Sequence, residues 1–225
     1  MEKKYLYGKL EHFALFLDGA EHLPMDRGLR FCDIIHYKTM ENEKVRDNES
    51  ERVFTLDKEL FTFKVDGKII DSKDMVGHPS ITIEVPRCYC LCLSAKKNDP
   101  ELFSRFNADV CIEVNVEGLV EFLEKVVAKR LPLRVIHRPV TYYPTVMTES
   151  PPIEDSLVFY KEAHFAVEAE YRVALMFPER ISFVCDGEKV EVLKGEEPSF
   201  MQIGHKDKIL WGELFTGYAL RSDRI

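Results

Sequence analysis

The sequence predicts an α+β fold, with a mixed or mainly antiparallel sheet and a few helices, most of them in the first two thirds of the chain. Segments of β-type composition outnumber segments in which apolar residues recur at helical spacing. The pairs Asp66-Gly67 and Asp186-Gly187 each separate two short β-type runs, which is typical of a hairpin turn. Strands and helices do not alternate regularly, so the pattern does not indicate a βαβ architecture.

Helical signals occur at four places. Apolar residues recur at helical spacing over residues 10–17. The tripeptide Asp-Pro-Glu at 99–101 suits a helix start, because Asp caps free N–H groups and Pro fits the first turn. The longest helix is expected to begin near Asn115 and to end before Pro132. A further helix is expected over residues 153–164.

The remaining structured segments are expected to be strands. The run at residues 88–94 is apolar throughout, which is typical of a strand covered on both faces. Residues 41–52 are intensely charged and lack an apolar face, so we expect a solvated loop there. The other expected strands are 4–8, 30–37 (a strand or a short turn), 53–65, 68–70, 80–85, 109–114, 133–136, 140–143, 168–175, 181–185, 190–193 and 209–215.

Composition limits the classes of protein and partner. The chain of 225 residues is expected to form a single domain over residues 1–225. Its formal net charge of -8 makes broad nucleic-acid binding unfavourable, because phosphates repel an acidic surface. The sequence has no signal-peptide pattern and no apolar run of about 20 residues, so we expect a cytoplasmic protein without membrane contact. Its six cysteines lack zinc spacing, so no metal site is expected.

The strongest candidate site is the acidic segment Glu168-Ala169-Glu170-Tyr171-Arg172. In a strand, side chains alternate between faces, so Glu168, Glu170 and Arg172 would share one face. Two neighbouring carboxylates can supply an acid, a base or a hydrogen-bond acceptor, and can hold a ribose or stabilise an oxocarbenium ion. The alternative is a structural ion pair between Arg172 and one of the glutamates, since buried charges must be paired.

Arg172 is a candidate for substrate binding, and so are three further residues. The charged segment around Arg46, Asp47 and Glu49 could cover a pocket and present Arg46 to a phosphate. Tyr37 would add an aromatic ring close to this segment. Ser94 could serve as a polar group at the end of the Cys-rich strand, or it could simply end that strand.

Three motifs together resemble a family of uncharacterised, mostly bacterial or phage, cytosolic proteins. That family has an Arg-Asp-x-x-Glu-like motif, a Cys-rich strand ending in Ser, and a Glu-x-Glu-x-Arg strand. The corresponding segments here are Arg46 to Glu51, Cys88 to Ser94, and Glu168 to Arg172. The resemblance spans most of the chain and implies no biochemical activity.

The acidic pair is also similar to that of ADP-ribosyltransferases, which use Glu-x-Glu, a Ser-bearing strand and an early Arg or His to grip NAD. This resemblance implies that Glu170 is the catalytic carboxylate and that Glu168 orients the substrate. It implies that Ser94 is the serine, and that Arg30 or His36 contacts NAD. In those enzymes the acidic pair precedes its strand on a turn, whereas the pattern here predicts that the pair lies within the strand.

Two hypotheses about function follow. The first is NAD-dependent ADP-ribosyl transfer or NAD hydrolysis in phage–host conflict, with NAD as a substrate and no permanently bound cofactor. The second is a non-catalytic protein that binds a small nucleotide or a protein partner. The second hypothesis predicts a closed ion-pair network of Glu168, Glu170 and Arg172 with no open cavity beside it. A deep pocket lined by these carboxylates would count against it.

Overall fold

A computed structural model describes residues 3–17, 28–39, 47–152, 154–178, 181–185, 187–204 and 208–222. It shows an α+β fold with mainly antiparallel sheets and few helices, as the sequence predicts. Three of the four α-helices of the described residues lie in the first two thirds of the chain.

The strands and helices have the following bounds. The strands are β1 Lys3–Gly8, β2 Leu29–Asp33, β3 Glu51–Thr55, β4 Phe63–Val65, β5 Lys68–Ile70, β6 Ser80–Glu84, β7 Tyr89–Ser94, β8 Val110–Asn115, β9 Arg134–Pro139, β10 Thr141–Tyr143, β11 Tyr160–Glu162, β12 Glu170–Met176, β13 Ser182–Cys185, β14 Glu188–Glu191, β15 Phe200–Ile203 and β16 Phe215–Leu220. The α-helices are α1 Leu10–Leu17, α2 Pro100–Arg105, α3 Val116–Phe122 and α4 Lys208–Leu214. A π-helical turn Leu123–Val127 continues α3, and the 3-10 helices are Ile34–Thr39, Ser72–Asp74, Glu154–Phe159 and Ala163–Glu168.

The main sheet branches at β7. Its strand order is β15-β2-β7-β1-β8-β16, and β12 pairs with β7 while β9 pairs with β12. One edge of β7 is therefore covered by β12, from Glu170 opposite Ser94 to Leu175 opposite Tyr89. The other edge is shared between β1 and β2, which pair with different ends of β7. This division leaves a gap between β1 and β2 beside the middle of β7.

Apolar clusters cover both faces of β7. Tyr89, Leu91 and Leu93 belong to the larger cluster, whereas Cys88 and Cys90 belong to a second cluster. Successive side chains of a strand point to opposite faces, so the two clusters lie on opposite sides of the sheet. The prediction of a strand covered on both faces is confirmed.

Local signals in the sequence locate two helix starts correctly. The Asp99 carboxylate accepts hydrogen bonds from the main-chain N–H groups of Glu101 and Leu102, at 2.9 and 3.2 Å. The Asn115 side chain accepts one from Gly118 N–H at 3.2 Å. Each cap satisfies N–H groups that the helix itself leaves without a partner. The hairpins β4–β5 and β13–β14 also form where the Asp-Gly pairs predict them.

The predictions for three segments are wrong. The expected strand over 53–65 is two short strands, β3 and β4, separated by residues 56–62. Residues 154–168 form β11 between two 3-10 helices instead of one helix, and β11 pairs in parallel with β10. Leu157, Val158 and Phe159 are all buried, and a surface helix cannot bury three consecutive side chains on one face. The expected strand over 209–215 is mostly α4, which buries Trp211 and Leu214 at a helical spacing of three.

The charged segment departs from a solvated loop where it is described. Residues 40–46 lie outside the described part of the chain, whereas residues 49 and 50 form a turn that leads into β3. Glu49 is fully buried and Arg52 is 2% exposed. The prediction of a solvated loop is therefore wrong for these two side chains, because partners elsewhere in the chain neutralise their charges.

Among the described helices, none is both long enough and apolar enough to cross a bilayer.

Candidate functional site

A cavity of about 920 Å³ lies beside β7, at the gap between β1 and β2. Its lining is largely apolar and aromatic, with Tyr5, Tyr7 and Phe106 among the aromatic side chains. Lys161 and Arg30 are the basic side chains of the lining. Ligand cavities of roughly 300–1,000 Å³ with a few polar groups are usual for small molecules, and this one lies near the upper end.

Four of the six predicted site residues line this cavity: Glu168, Glu170, Tyr37 and Ser94. The early residues that the ADP-ribosyltransferase resemblance implies, Arg30 and His36, line it as well. These residues come from three separate stretches of the sequence, residues 30–37, residue 94 and residues 168–170, and the branched sheet brings them together.

Of the other two predicted residues, Arg172 does not line the cavity. Arg172 is 1% exposed and lies behind Glu170 on the same face of β12. It therefore contacts Glu170 without lining the cavity, and its role in substrate binding stays a prediction. Arg46 lies outside the described residues.

The acidic pair does not lie within a single strand, which corrects the sequence prediction. Glu168 ends a 3-10 helix, and Ala169 has left-handed backbone angles, with φ 43°. Glu170 is then the first residue of β12. A left-handed residue breaks the alternation of a strand, so only Glu170 and Arg172 share the expected face. The acidic pair thus straddles a turn at the start of its strand.

Arg172 uses all five of its N–H donors. Its guanidinium donates to both oxygens of Glu170, with Nε···Oε1 at 2.6 Å and Nη2···Oε2 at 3.2 Å. It also donates to both oxygens of Glu49, at 2.9 and 2.5 Å, and to the Val158 carbonyl at 2.6 Å. The structural ion pair that the sequence offered as an alternative is therefore present between Glu170 and Arg172. A guanidinium held at five points fixes both carboxylates.

Glu49 joins this site to the charged segment. Besides Arg172, its carboxylate accepts a hydrogen bond from Arg52, whose Nε donates to the Tyr160 carbonyl at 2.6 Å. Burial alone would raise the pKa of Glu49, but the charges of Arg172, Arg52 and Lys161 hold the pKa well below its usual range. Glu49 thus remains ionised inside the protein.

Lys161 is a site residue that sequence reasoning missed. Its ammonium donates to Glu168 Oε2 at 2.8 Å and to Glu170 Oε2 at 3.1 Å, and lies 3.7 Å from Glu49 Oε1. Burial opposes the charged form, but these carboxylates raise the pKa of Lys161 above its ordinary value. The one available signal was a lysine directly after the apolar run Leu157 to Tyr160.

The two carboxylates of the cavity wall are ion-paired but retain free acceptor capacity. Burial would raise the pKa of Glu170, yet the Arg172 and Lys161 charges hold it at about 2. Glu168 accepts from Lys161 on one oxygen and from Arg105 Nε on the other, at 2.8 Å. Each carboxylate oxygen can accept about two hydrogen bonds, so ligand hydroxyls can still bind. Glu170 can therefore accept hydrogen bonds or stabilise positive charge, but it cannot donate a proton at neutral pH.

Ser94 holds the turn that carries the acidic pair. Its hydroxyl donates to the Glu168 carbonyl at 2.7 Å and accepts from Lys96 N–H at 3.0 Å. The carbonyl of Ala169 accepts from Ala95 N–H at 2.8 Å. The end of β7 thus fixes the position of Glu168, and the hydroxyl proton of Ser94 is already used.

Tyr37 and Asp47 complete the polar surroundings. The Tyr37 hydroxyl donates to Cys92 Sγ at 2.9 Å, and burial raises the pKa of Tyr37 well above its ordinary value, so it stays a neutral phenol. Burial, followed by the charge of Glu49, raises the pKa of Asp47 to about 7.

In the described part of the chain, no group of three or more His, Cys, Asp or Glu side chains is arranged to hold a metal ion.

Comparisons with known proteins give no relative for this chain. No family model matches it, and neither a curated protein nor a solved structure gives a match. The two resemblances in the sequence therefore stay predictions, and function has to be argued from the site itself.

Proposed function

We propose that the cavity binds NAD and that the protein cleaves its nicotinamide–ribose bond, either by ADP-ribosyl transfer or by NAD hydrolysis. The observation that carries this proposal is the pair of ion-paired carboxylates, Glu168 and Glu170, in the wall of a largely apolar and aromatic cavity. We place this activity in the cytoplasm and in phage–host conflict, on the resemblance of the sequence alone.

The size and lining of the cavity support a nucleotide ligand. A volume of about 920 Å³ exceeds what a simple sugar or amino acid requires. Tyr5, Tyr7, Tyr37 and Phe106 offer aromatic surfaces for flat rings. Arg30 offers a cationic group for a phosphate. The carboxylates suit the hydroxyls of a ribose, since both carboxylates can accept hydrogen bonds from hydroxyl groups.

The chemistry that we propose needs negative charge and no proton donor. The bond between ribose C1′ and the pyridinium nitrogen breaks, and its electron pair leaves with neutral nicotinamide. Positive charge develops on the ribose, where the Glu170 carboxylate stabilises it. A water molecule or the nucleophile of an acceptor then bonds to C1′ and loses its proton to solvent.

A second candidate, binding without reaction, is favoured by the ion pairs themselves. Arg172 and Lys161 offset the charge of Glu170, and Arg105 and Lys161 offset that of Glu168. This weakens the field that either carboxylate exerts on a ligand. The open cavity beside the carboxylates counts against a purely structural network. It is as compatible with a protein that recognises a nucleotide or a protein partner through this surface as it is with an enzyme.

Incubation of the purified protein with NAD, alone and with cell lysate, tests the proposal. We expect release of nicotinamide, with or without transfer of labelled ADP-ribose to a lysate protein. Glu170→Gln should lower the rate by about 100-fold, the usual cost of losing one group that stabilises transition-state charge. Glu162→Gln, an exposed change in the same region, is the matched control.

The outcomes separate the two candidates. NAD consumption that depends on Glu170 supports the enzyme. Calorimetric binding of NAD without consumption or labelling refutes the enzyme and supports the binding protein. Circular dichroism of Glu170→Gln is needed in either case, because a lost rate has meaning only if the fold is intact.

A further inference from the structure

Two cysteines face each other where β2 pairs with β7. Cys32 of β2 lies directly opposite Cys90 of β7 in the antiparallel register, so the two side chains lie on the same face of the sheet. Both residues line the cavity. Neither side chain has a part in the proposed cleavage of NAD.

The spacing of the two main chains suits a disulfide. Ile34 N–H donates to the Cys88 carbonyl at 3.0 Å, and hydrogen-bonded pairs recur at every second residue of an antiparallel ladder. Cys32 and Cys90 are therefore such a pair, in which the Cα atoms are typically about 5.5 Å apart. Disulfides join residues whose Cα atoms are roughly 4.4–6.8 Å apart. The two strands can therefore keep their positions when the bond forms.

Cys88 is the competing partner for Cys90, since its Sγ lies 3.4 Å from Cys90 Sγ. These two residues are two positions apart in an extended chain, where their Cα atoms are about 6.6 Å apart. That separation is at the far end of the range for a disulfide, so the bond would distort the strand. The cross-strand pair is therefore the favoured one.

The cavity gives a small oxidant access to Cys32. This residue is partly exposed, whereas Cys90 is only 2% exposed. Burial raises the pKa of Cys32, while the charge of Arg30 and a hydrogen bond with Arg30 offset part of that rise in pKa. Cys32 should therefore react first, and slowly at neutral pH, with Cys90 next to the oxidised sulfur.

We propose that Cys32 and Cys90 form an oxidation site in the cavity wall, at which hydrogen peroxide converts the two thiols to a disulfide. The Cys32 sulfur attacks one peroxide oxygen, the O–O bond breaks, and the other oxygen leaves as water with the proton of the Cys32 thiol. The Cys90 sulfur then bonds to the Cys32 sulfur and displaces the remaining oxygen, which leaves as a second water with the Cys90 proton. Two electrons thus pass from the two thiols to one peroxide.

The disulfide should be easily reduced. Opposite residues of an antiparallel pair have Cβ atoms about 4.5–5.5 Å apart, whereas a disulfide needs roughly 3.5–4.5 Å. Bond formation therefore draws the two side chains together and strains the bond, and strained disulfides are the reversible ones. The bond would tie β2, which carries Arg30, to β7 beside the gap in the sheet. The thiol redox state would thereby act on the wall of the cavity.

Peptide mapping of the oxidised protein tests the site. The reduced protein is treated with hydrogen peroxide, its remaining thiols are alkylated, and it is digested with trypsin. We expect residues 31–38 to be joined to residues 88–96 by a disulfide between Cys32 and Cys90, which dithiothreitol releases. The link should form about tenfold faster at pH 8 than at pH 7, because the reactive thiolate is the minor form below its pKa.

Three variants control the mapping. Cys32→Ala and Cys90→Ala should each abolish the linked peptide. Cys111→Ala removes a buried cysteine that lies outside the cavity lining, and should retain the link.

The wild-type protein alone can overturn the site. The site is refuted by the absence of a link, by a link between Cys88 and Cys90, and by a product in which Cys32 carries two or three oxygens while Cys90 remains a thiol. A link at Cys32 and Cys90 supports it, whether or not the protein consumes NAD. The oxidation site and the proposed function are therefore tested separately.

Discussion

Glu49 and Arg172 are 123 positions apart in the sequence and form a two-point ion pair inside the protein, with Nη1···Oε2 at 2.9 Å and Nη2···Oε1 at 2.5 Å. The pair connects the charged segment to the strand that carries Glu170. Because Arg172 also binds both oxygens of Glu170, the position of the candidate catalytic carboxylate depends on Glu49.

Removing the charge of Glu49 should destabilise the protein strongly. Glu49→Gln leaves Arg172 and Arg52 without their shared carboxylate, and breaking a buried ion pair typically costs about 3–5 kcal/mol. Urea denaturation measures this cost as a lower free energy of unfolding. Glu124→Gln, an exposed change of the same chemistry, should alter stability by less than about 0.5 kcal/mol. Equal stability of the two variants would contradict the network.

Removing the charge of Lys161 should weaken the electrostatic stabilisation of the acidic pair. In Lys161→Met, the pKa of Glu170 should rise from about 2, because one of the two cations that hold it down is removed. Carbon NMR titration of labelled glutamate carboxyl groups measures this change without any assay of activity. Lys161→Arg retains the charge and should give a smaller rise. A Glu170 pKa that is the same in all three proteins would show that Lys161 does not act on it.

The depressed pKa of Glu170 predicts acid sensitivity in a defined window. The group titrates at about 2 in the folded state against an ordinary value of 4.5. Its stabilising contribution is therefore complete above pH 4.5 and is lost as the pH falls towards 2. The difference in melting temperature between the wild type and Glu170→Gln should shrink over this range. A constant difference from pH 6 down to the acid transition would refute the depressed pKa.

The raised pKa of Asp47 predicts the opposite dependence of stability on pH. Its pKa is raised from 3.8 to about 7, so the folded state retains a proton that the unfolded chain loses between these values. Stability should therefore decrease as the pH rises from about 4 to 7 on account of this group. Asp47→Asn should be more stable than the wild type at pH 8, and this advantage should disappear near pH 4. Melting curves across this range provide the check.

The left-handed backbone at Ala169 predicts the effect of two substitutions. A residue with a Cβ atom pays about 1–2 kcal/mol in this conformation, and glycine does not. Ala169→Gly should therefore retain the fold and gain up to about 1 kcal/mol, whereas Ala169→Val should lose stability, because a β-branched side chain tolerates this region poorly. Chemical denaturation of both variants would show the opposite order if the turn had ordinary strand angles.

Features that depend on local chemistry were predictable from the sequence. The caps at Asp99 and Asn115 and the two Asp-Gly hairpins each depend on neighbouring residues alone. The candidate site was predictable in part for the same reason. Charged residues at the start of an apolar strand cost free energy unless they are paired, so the sequence alone marks Glu168 and Glu170 as candidate site residues.

Features that depend on distant contacts were not predictable. Nothing near Lys161 in the sequence shows that its ammonium meets Glu49, because the fold alone brings β11 and the 49–50 turn together. The contacts between β11 and the 49–50 turn also explain why residues 154–168 do not form one helix. They explain in addition why Glu49 and Arg52 are buried. The gap beside the middle of β7 follows from the pairing of β1 and β2 with different ends of that strand, which no local pattern reveals.

The central claim, that Glu168 and Glu170 face the nicotinamide ribose of NAD, is tested most directly by a crystal structure. The ligand is an NAD analogue that resists cleavage because a methylene group replaces the ring oxygen of that ribose. We predict that the ribose hydroxyls of the bound analogue lie within hydrogen-bond distance of the two carboxylates in the cavity beside β7. An analogue bound elsewhere, or a cavity that stays empty at saturating concentration, would contradict the account.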